Sequence, residues 1–300
     1  LLASSAASDV YKRQCLLRAL GNSTVPLVFL AVSAILNIAW DLLFVAVFHW
    51  GIAGAAYATI FAQYVSGIGI LLYVLFRCRS LFPERKDLCF DGGILKEIAG
   101  LSSLTCLQQS VMNFGILMVQ GLVNSFGATT MAAFAAAVKI DTFAYLPVQD
   151  FGNAYSTFIA QNYGAGNKER IHRGTKESFA ISTAFSLVIS ALVFAFAAPL
   201  MQIFVSSAET AVIASGIRYL RIEGAFYFGI GCLFLLYGYY RAIKRAEMSV
   251  VLTVISLGIR VLLAYVLSAT FLGETGIWMA IPIGWILADL TGLLYMRKTW

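Results

Sequence analysis

The chain has 300 residues, of which 60% are apolar and only 12% are charged, and its formal net charge is +6. Its mean hydropathy of +0.82 lies outside the range of soluble globular domains. In hydrocarbon no water satisfies the backbone polar groups, so a chain must cross it as helices or as a closed barrel. The composition therefore excludes a soluble domain and predicts a membrane protein.

Long apolar runs decide between helices and a barrel. Each run extends over roughly 20 residues without the alternation of a barrel strand, and a helix of that length crosses about 30 Å of hydrocarbon. The sequence therefore predicts an all-α membrane protein, a polytopic helical bundle. Eight membrane-spanning helices are predicted, at 25–48, 52–75, 101–124, 128–159, 179–204, 211–239, 250–271 and 277–295.

The connections between these predicted spans alternate in charge. Those near residues 49–50, 127, 206–210 and 273–276 contain no Lys or Arg. Basic loops are retained on the cytoplasmic side of a membrane, so both ends of the chain are predicted to be cytoplasmic. The net charge of +6 then needs no nucleic-acid partner. The basic set comprises Arg18, Arg77, Arg79, Arg85, Lys86, Lys96, Lys168, Arg170, Arg173, Lys176, Arg241, Lys244, Arg245, Arg297 and Lys298.

An internal repeat gives the organisation of the chain. Arg18 opens a unit of two spans joined by a turn at Gly51, and Arg241 opens the same unit 223 residues later, with its turn at Gly276. Both copies begin on the predicted cytoplasmic side, which is typical of halves related by an axis along the membrane normal. Two copies of one unit are therefore expected.

The second copy is preceded by four spans that have no counterpart before Arg18. We therefore expect two six-helix lobes in the complete protein and an N-terminally truncated chain here. Residues 15–77 would be the last two helices of the first lobe, 78–100 a cytoplasmic connection with a short amphipathic helix, and 101–300 the second lobe. Residues 1–14 resemble translated adaptor sequence and are expected to be a non-native leader.

Several ordered strings resemble the multidrug and toxic compound extrusion (MATE) transporters, most of all the DinF-like bacterial branch. They are RALGNSTVP at 18–26, ILNIAWD at 35–41, GIAGAA at 51–56, KID at 139–141 and STFIAQNYGAG at 156–166. The resemblance implies two six-helix lobes related by pseudo-two-fold symmetry, with the spans of this chain as helices five to twelve. It implies an antiporter in the bacterial inner membrane that expels amphipathic or cationic compounds in exchange for Na⁺ or H⁺.

Polar side chains in the first span predict a cation site. Asn37 and Asp41 are four residues apart, so they share one helix face. Oxygen ligands suit a hard cation such as Na⁺, and Thr59 on the next span could add a hydroxyl. The resemblance places these three residues at the family's first-lobe cation site. Two alternatives are that they only join two helices by hydrogen bonds, or that Asp41 exchanges a proton.

Candidates for a substrate cavity follow in the second lobe. Lys139 and Asp141 lie near mid-membrane but two residues apart, so they point in different directions and need separate partners. Asp141 could hold a cationic substrate, with Lys139 tuning its charge, or both could belong to a structural ion pair. The remaining candidates are Gln108, Gln109, Asp150 and the aromatic residues Tyr145, Phe143 and Tyr227.

A buried ion pair is predicted between Arg260 and Asp289, because an arginine in the middle of a span needs a partner. Arg260 aligns with Asn37 across the repeat, and Ala264 aligns with Asp41. The two lobes are therefore not chemically equivalent, and cation coupling is expected in the first. Glu223, close to Arg221, could not be assigned a role.

Three classes of function were weighed. A drug or cation antiporter is favoured, and a flippase for lipid-linked oligosaccharides with the same two-lobe plan is the alternative. A membrane enzyme is the third, but no nucleophile motif or metal-ligand spacing supports it. The antiporter is expected to be a monomer in the lipid bilayer, with no cofactor other than its coupling ion.

Overall fold

The computed structural model describes residue 12, residues 14–77 and residues 91–299. These residues form helices joined by short turns and include no strand, which confirms the predicted all-α fold class. The chain divides into two units, Leu1–Asp91 and Gly92–Trp300. Of the predicted leader, residues 1–11 and 13 lie outside the described residues, while Gln14 is buried in a helical stretch at 14–19.

The first unit contains two long helices. Helix α1 spans Thr24–Asp41 and continues as a π-helical segment, Leu42–Val47. A tight turn follows, in which His49 and Gly51 adopt φ angles of 53° and 56°, and helix α2 spans Gly51–Arg77. The two long helices approach closely because small residues of α2 are buried against α1. Thus Ser66 Oγ donates a hydrogen bond to Phe29 O at 3.3 Å.

The second unit is larger and is built around helix α8. Helices α4, α5 and α11 all pack against α8, and most of the α8 side chains are buried. The helices are α3 (Gly92–Ser125), α4 (Ala128–Gly164), α5 (Lys168–Ala195), α6 (Ala197–Phe204), α7 (Thr210–Gly224), α8 (Tyr227–Ala242), α9 (Ala246–Thr253), a π-helical segment Val254–Gly258, α10 (Ile259–Ser268) and α11 (Glu274–Thr299).

Seven helices in the described residues are long and apolar enough to cross a membrane, and an eighth span results if α7 and α8 count as one. The eight predicted spans correspond to these segments. The sixth differs in shape, because α7 and α8 are bent by 52° at the break between Gly224 and Tyr227. The fifth was predicted to run to residue 204, but α5 ends at Ala195 and α6 is a separate helix.

The start of the second unit also differs from prediction. A separate amphipathic helix was expected before residue 100, but residues 92–100 are continuous with the spanning helix α3. No residue between Gly92 and Leu101 breaks the helix, because the segment has no proline. Of its three glycines, two stand at the helix start, at positions 92 and 93, and Gly100 is tolerated inside. The residues at 78–90 of the predicted connection lie outside the described residues.

Glu274, the first residue of α11, holds three helix ends together. Thr130 of α4 and Ser215 of α7 donate hydrogen bonds to Glu274 Oε2 at 2.9 and 3.1 Å. Arg218 of α7 forms an ion pair with Glu274 Oε1 at 2.5 Å. A carboxylate is favourable at a helix N-terminus, because the backbone dipole is positive there. This end of the second unit therefore has a fixed arrangement of α4, α7 and α11.

Candidate functional site

The first unit brings two of the three predicted cation ligands together. Asn37 Nδ2 of α1 donates a hydrogen bond to Thr59 Oγ1 of α2 at 3.3 Å. The Thr59 hydroxyl in turn donates to Ala55 O at 3.1 Å. Asp41 lies one turn beyond Asn37, and its Oδ1 is buried with no hydrogen-bond partner in the described structure. The Asp41 carboxylate is therefore free to accept a cation or a proton.

Asp41 also stands where the backbone changes its hydrogen bonding. It is the last residue of α1, and the π-helical segment Leu42–Val47 begins immediately after it. Such segments leave some carbonyl groups with altered partners and occur often at functional sites. The local backbone thus makes Asp41 a candidate functional position.

A second polar cluster, buried in the second unit, was only partly predicted. Asp141 of α4 is 3% exposed and Glu223 of α7 is 5% exposed. The Tyr227 hydroxyl donates a short hydrogen bond to Asp141 Oδ1. Tyr219, one turn before Glu223, lies beside both carboxyl groups, which are also near enough to interact with each other. We call Asp141, Glu223, Tyr219, Tyr227 and Arg260 the acidic cluster.

Arg260 supplies the positive charge of the acidic cluster. It interacts electrostatically with both Asp141 and Glu223, and its Nε is buried without a hydrogen-bond partner. The residue lies two positions after the π-helical segment Val254–Gly258. Two carboxylates and one guanidinium leave one negative charge uncompensated if both acids are ionised, and burying that charge is costly.

The predicted Arg260–Asp289 ion pair is wrong. Among the described residues no ion pair joins them, and Asp289 instead lies beside the Cys232 thiol of α8. Its Oδ1 is buried without a partner. Gly284 is the α11 residue that meets Arg260, since a Cβ at Gly284 would lie 3.2 Å from Arg260 Cβ. Asp289 follows five residues later, roughly 140° around the helix, and so faces α8.

The other cavity candidates have different surroundings. Lys139 does not accompany Asp141: its ammonium lies 5.8 Å from the centroid of the Phe204 ring, on the surface of the unit. The prediction that Lys139 tunes Asp141 is therefore not supported. Gln109, Asp150 and Phe143 are exposed, Gln108 is buried, and the Tyr145 ring lies 6.3 Å from that of Phe234.

Aromatic residues hold Tyr219 in place. Its ring is perpendicular to that of Trp278, with centroids 4.9 Å apart, and Phe134 stacks on Trp278 at 5.6 Å. Such edge-to-face and offset contacts favour a defined ring orientation. The phenol of Tyr219 is thereby kept beside the carboxyl groups.

The chemistry of the acidic cluster suits a small cation or a proton. Asp141 Oδ2 and Glu223 Oε2 are buried oxygens with no hydrogen-bond partner in the described part of the chain. Carboxylate and phenol oxygens are the ligands of hard cations, and two carboxyl groups in one site can share a proton. No group of three or more His, Cys, Asp or Glu side chains suited to a metal ion occurs in the described residues.

Glu223 and Tyr219 were missed by the sequence interpretation. Their four-residue spacing places both on one helix face, and a carboxylate in an apolar span is itself a functional signal. The proximity of Arg221 in sequence obscured it. In the structure Arg221 turns away, and its guanidinium lies 5.3 Å from the Phe194 ring.

Comparison with known proteins gives a consistent result. The sequence profile of the family described as MatE matches residues 104–266. The probable multidrug resistance protein YpnP of Bacillus subtilis is 32% identical over 284 residues, which are 94% of this chain and 62% of that protein. The probable multidrug resistance protein NorM of Thermotoga maritima is 27% identical, over 93% of this chain and 61% of its own.

The fold is also similar to that of solved structures. A mutant of the MATE transporter VcmN of Vibrio cholerae superposes with a TM-score of 0.92 at 22% sequence identity. The match covers 99% of this chain and 67% of the VcmN chain. This chain spans about three fifths of the length of the curated relatives that it matches.

Proposed function

Because this chain belongs to the MatE family of multidrug and toxic compound extrusion proteins, we propose that it acts in a transporter that exports amphipathic or cationic compounds in exchange for Na⁺ or H⁺. The transporter is a multi-pass membrane protein. We place it in the bacterial cytoplasmic membrane as a monomer. We also place both ends of this chain in the cytoplasm, because basic residues cluster in alternate connections.

One observation carries the proposal of cation coupling. Asp41, Asp141 and Glu223 each have a buried carboxyl oxygen without a hydrogen-bond partner in the described residues, although all three lie in membrane-spanning helices. An ionised carboxylate in such a place is costly unless a cation or a proton neutralises it. Binding and release of that cation can therefore favour different conformations of the helices.

We assign coupling first to Asp41, with Asn37 and Thr59 as further oxygen ligands, and second to the acidic cluster. The contact of Asn37 with Thr59 at 3.3 Å supports a shared site between α1 and α2. The acidic cluster has two carboxyl groups for one guanidinium, so it can neutralise one positive charge. Either site can serve Na⁺ or H⁺, because the ligand chemistry fits both.

The flippase alternative is less well supported. A carrier of lipid-linked pyrophosphate needs an excess of cationic groups, whereas the acidic cluster has an excess of carboxylates. The enzyme alternative is replaced by transport, because the relatives of this chain are named as multidrug resistance proteins.

Ethidium efflux tests the proposal. The complete gene product that contains this sequence is reconstituted in liposomes, and efflux is followed by fluorescence under imposed Na⁺ or H⁺ gradients. We expect gradient-driven efflux in the wild type and its loss in Asp41→Asn. The amide keeps the shape of the carboxylate but has no negative charge for a cation to neutralise. Glu209→Gln, an exposed acid at the start of α7, is the matched control and should transport normally.

Two outcomes contradict parts of the proposal. If the wild type moves no ethidium under either gradient while it is correctly inserted, then antiport of this substrate class is wrong. If Asp41→Asn retains wild-type efflux under both gradients, the first-unit coupling site is wrong. Loss of transport in Glu223→Gln alone would then place coupling at the acidic cluster.

A further inference from the structure

A groove opens between α5 and α11 at the basic end of the second unit. Both helices pack against α8 but leave a cleft beside it, with a volume of about 360 Å³. The sequence predicts that this end faces the cytoplasm, since the basic connections lie there. The groove is lined by Thr175, Lys176, Phe179, Leu293, Met296 and Arg297.

Two cations on the rim of this groove have no acidic partner among the described residues. Lys176 of α5 and Arg297 of α11 are exposed, and neither has an acidic partner in the described residues. Thr175 between them carries no charge, and its hydroxyl is hydrogen-bonded to Tyr155 at 2.8 Å. Two cations from different helices thus border one groove, and no described acidic residue neutralises their charges.

Two other cations on the same end have acidic partners among the described residues. Arg173 forms an ion pair with Glu177 at 2.8 Å. Lys244 forms one with Glu97 at 2.5 Å, and the hydrogen bond to that carboxylate raises the pKa of Lys244. Lys176 and Arg297 differ from these two cations, because they border one groove and have no acidic partner among the described residues.

The floor of the groove is apolar and continues along α11. Phe179 and Met296 are partly or fully buried, and Leu293 is 37% exposed. Leu290, three residues before Leu293 on the same helix face, is 53% exposed. The surface thus passes from two cations to a strip of hydrocarbon-facing leucine side chains, which matches a charged headgroup with an attached acyl chain.

We propose that this groove binds an anionic phospholipid, with its phosphate between Lys176 and Arg297 and an acyl chain along Phe179, Leu293 and Leu290. Basic pockets between helices at the cytoplasmic membrane surface have this kind of ligand, because anionic lipids are concentrated there. Arginine binds phosphate through its planar fork and lysine as a point charge. The bound lipid bridges α5 and α11, which contact each other little but share α8.

Native mass spectrometry of the purified chain in detergent tests the site. Phosphatidylglycerol and phosphatidylcholine of the same acyl composition are titrated separately. We expect tighter binding of phosphatidylglycerol. Its Kd should be about thirtyfold higher in Lys176→Gln/Arg297→Gln, since each cation near an anionic headgroup lowers the Kd by about a factor of five. Lys168→Gln/Arg170→Gln makes the same charge change at the start of α5 and should leave the Kd unchanged.

Three results would overturn the proposal. Equal binding of the two lipids would show that the site does not recognise the net negative charge of the headgroup. Equal weakening by both double variants, with unchanged helix content by circular dichroism, would show a diffuse charge effect. Competition by glycerol 1-phosphate at the same concentrations as the lipid would identify a free-phosphate site, in which the apolar floor has no part.

Discussion

At the residue scale, the charge balance of the acidic cluster is the strongest constraint in the second unit. Asp141 and Glu223 are nearly inaccessible to solvent, and Arg260 is their only cationic partner among the described residues. One carboxylate balances the guanidinium. The other must be protonated or bind a cation when the site is closed, because an unpaired buried charge costs several kcal/mol.

This balance predicts unequal effects of two substitutions. Glu223→Gln removes the excess acid and leaves Asp141 paired with Arg260, so thermal stability in detergent should be unchanged or higher. Asp141→Asn/Glu223→Gln leaves Arg260 without a counter-charge. We expect the double variant to lose about 2 kcal/mol of stability, less than the ~3–5 kcal/mol for a fully buried pair, since Arg260 is partly exposed.

Differential scanning fluorimetry of the purified chain measures both effects. Glu169→Gln, at an exposed position in the first turn of α5, is the control. It loses only a favourable charge at a helix N-terminus, so its stability should fall by less than about 1 kcal/mol. If Glu223→Gln is as destabilising as the double substitution, the two carboxyl groups do not share one counter-charge, and the charge balance described for the acidic cluster is wrong.

At the element scale, the central helix α8 is held against α4 by close backbone contact. A Cβ at Gly238 of α8 would lie 2.7 Å from Gly152 O of α4, and one at Gly152 would lie 3.1 Å from Phe234 O. In lipid no hydrophobic drive brings helices together, so association depends on close packing of small residues. These two glycines therefore determine the distance between α4 and α8.

Gly238→Ala should destabilise the second unit by about 1–3 kcal/mol, because the added methyl group must displace the backbone of α4. Gly121→Ala in α3 is the matched control, since no atom lies within 4 Å of the added methyl group. Alanine is the better helix former, so the control should gain roughly 0.5–1 kcal/mol. Thermal melts that shift equally in the two variants would contradict this role of Gly238.

At the scale of the whole molecule, the two units have very different cores. The buried core of the second unit includes large side chains such as Trp278, Tyr240 and Leu236, and its polar contacts join helices of the same unit. In the first unit a small cluster of Leu17, Ile70 and Val74 is buried among the described residues. The core and these cross-helix polar contacts of the second unit therefore lie within that unit.

We expect the fragment Gly92–Trp300, expressed without the preceding residues, to purify from detergent as a helical, monodisperse species with a cooperative thermal transition. The reason is that its core and its cross-helix hydrogen bonds are internal. Size-exclusion chromatography and circular dichroism measure this, with the intact chain as the reference. A fragment that is helical but aggregated, or that melts without cooperativity, would show that the second unit depends on the first.

Hydropathy was sufficient for the position of the apolar spans, although two of them are divided into two helices. In hydrocarbon every backbone group must be satisfied within its own segment, so a long apolar run has one practical conformation. Helix ends were less predictable. The break at Phe196 and the bend between Gly224 and Tyr227 occur inside apolar runs, where composition does not change and so gives no signal.

Which side chains meet was decided by the tertiary structure. The family resemblance placed Asn37 and Thr59 in one site, and their side chains do meet at 3.3 Å. Arg260 and Asp289 do not meet, because close contact at Gly284 sets the rotation of α11 and turns Asp289 toward α8. The position of a residue within its apolar run predicts its depth in the membrane. The direction in which it faces depends on the rotation of its helix, which is set by packing with neighbouring helices. The amino-acid sequence by itself thus determined the lipid environment of the chain, its all-helical class and the candidate acids. Only the packing of the helices decided that Glu223 shares its site with Asp141.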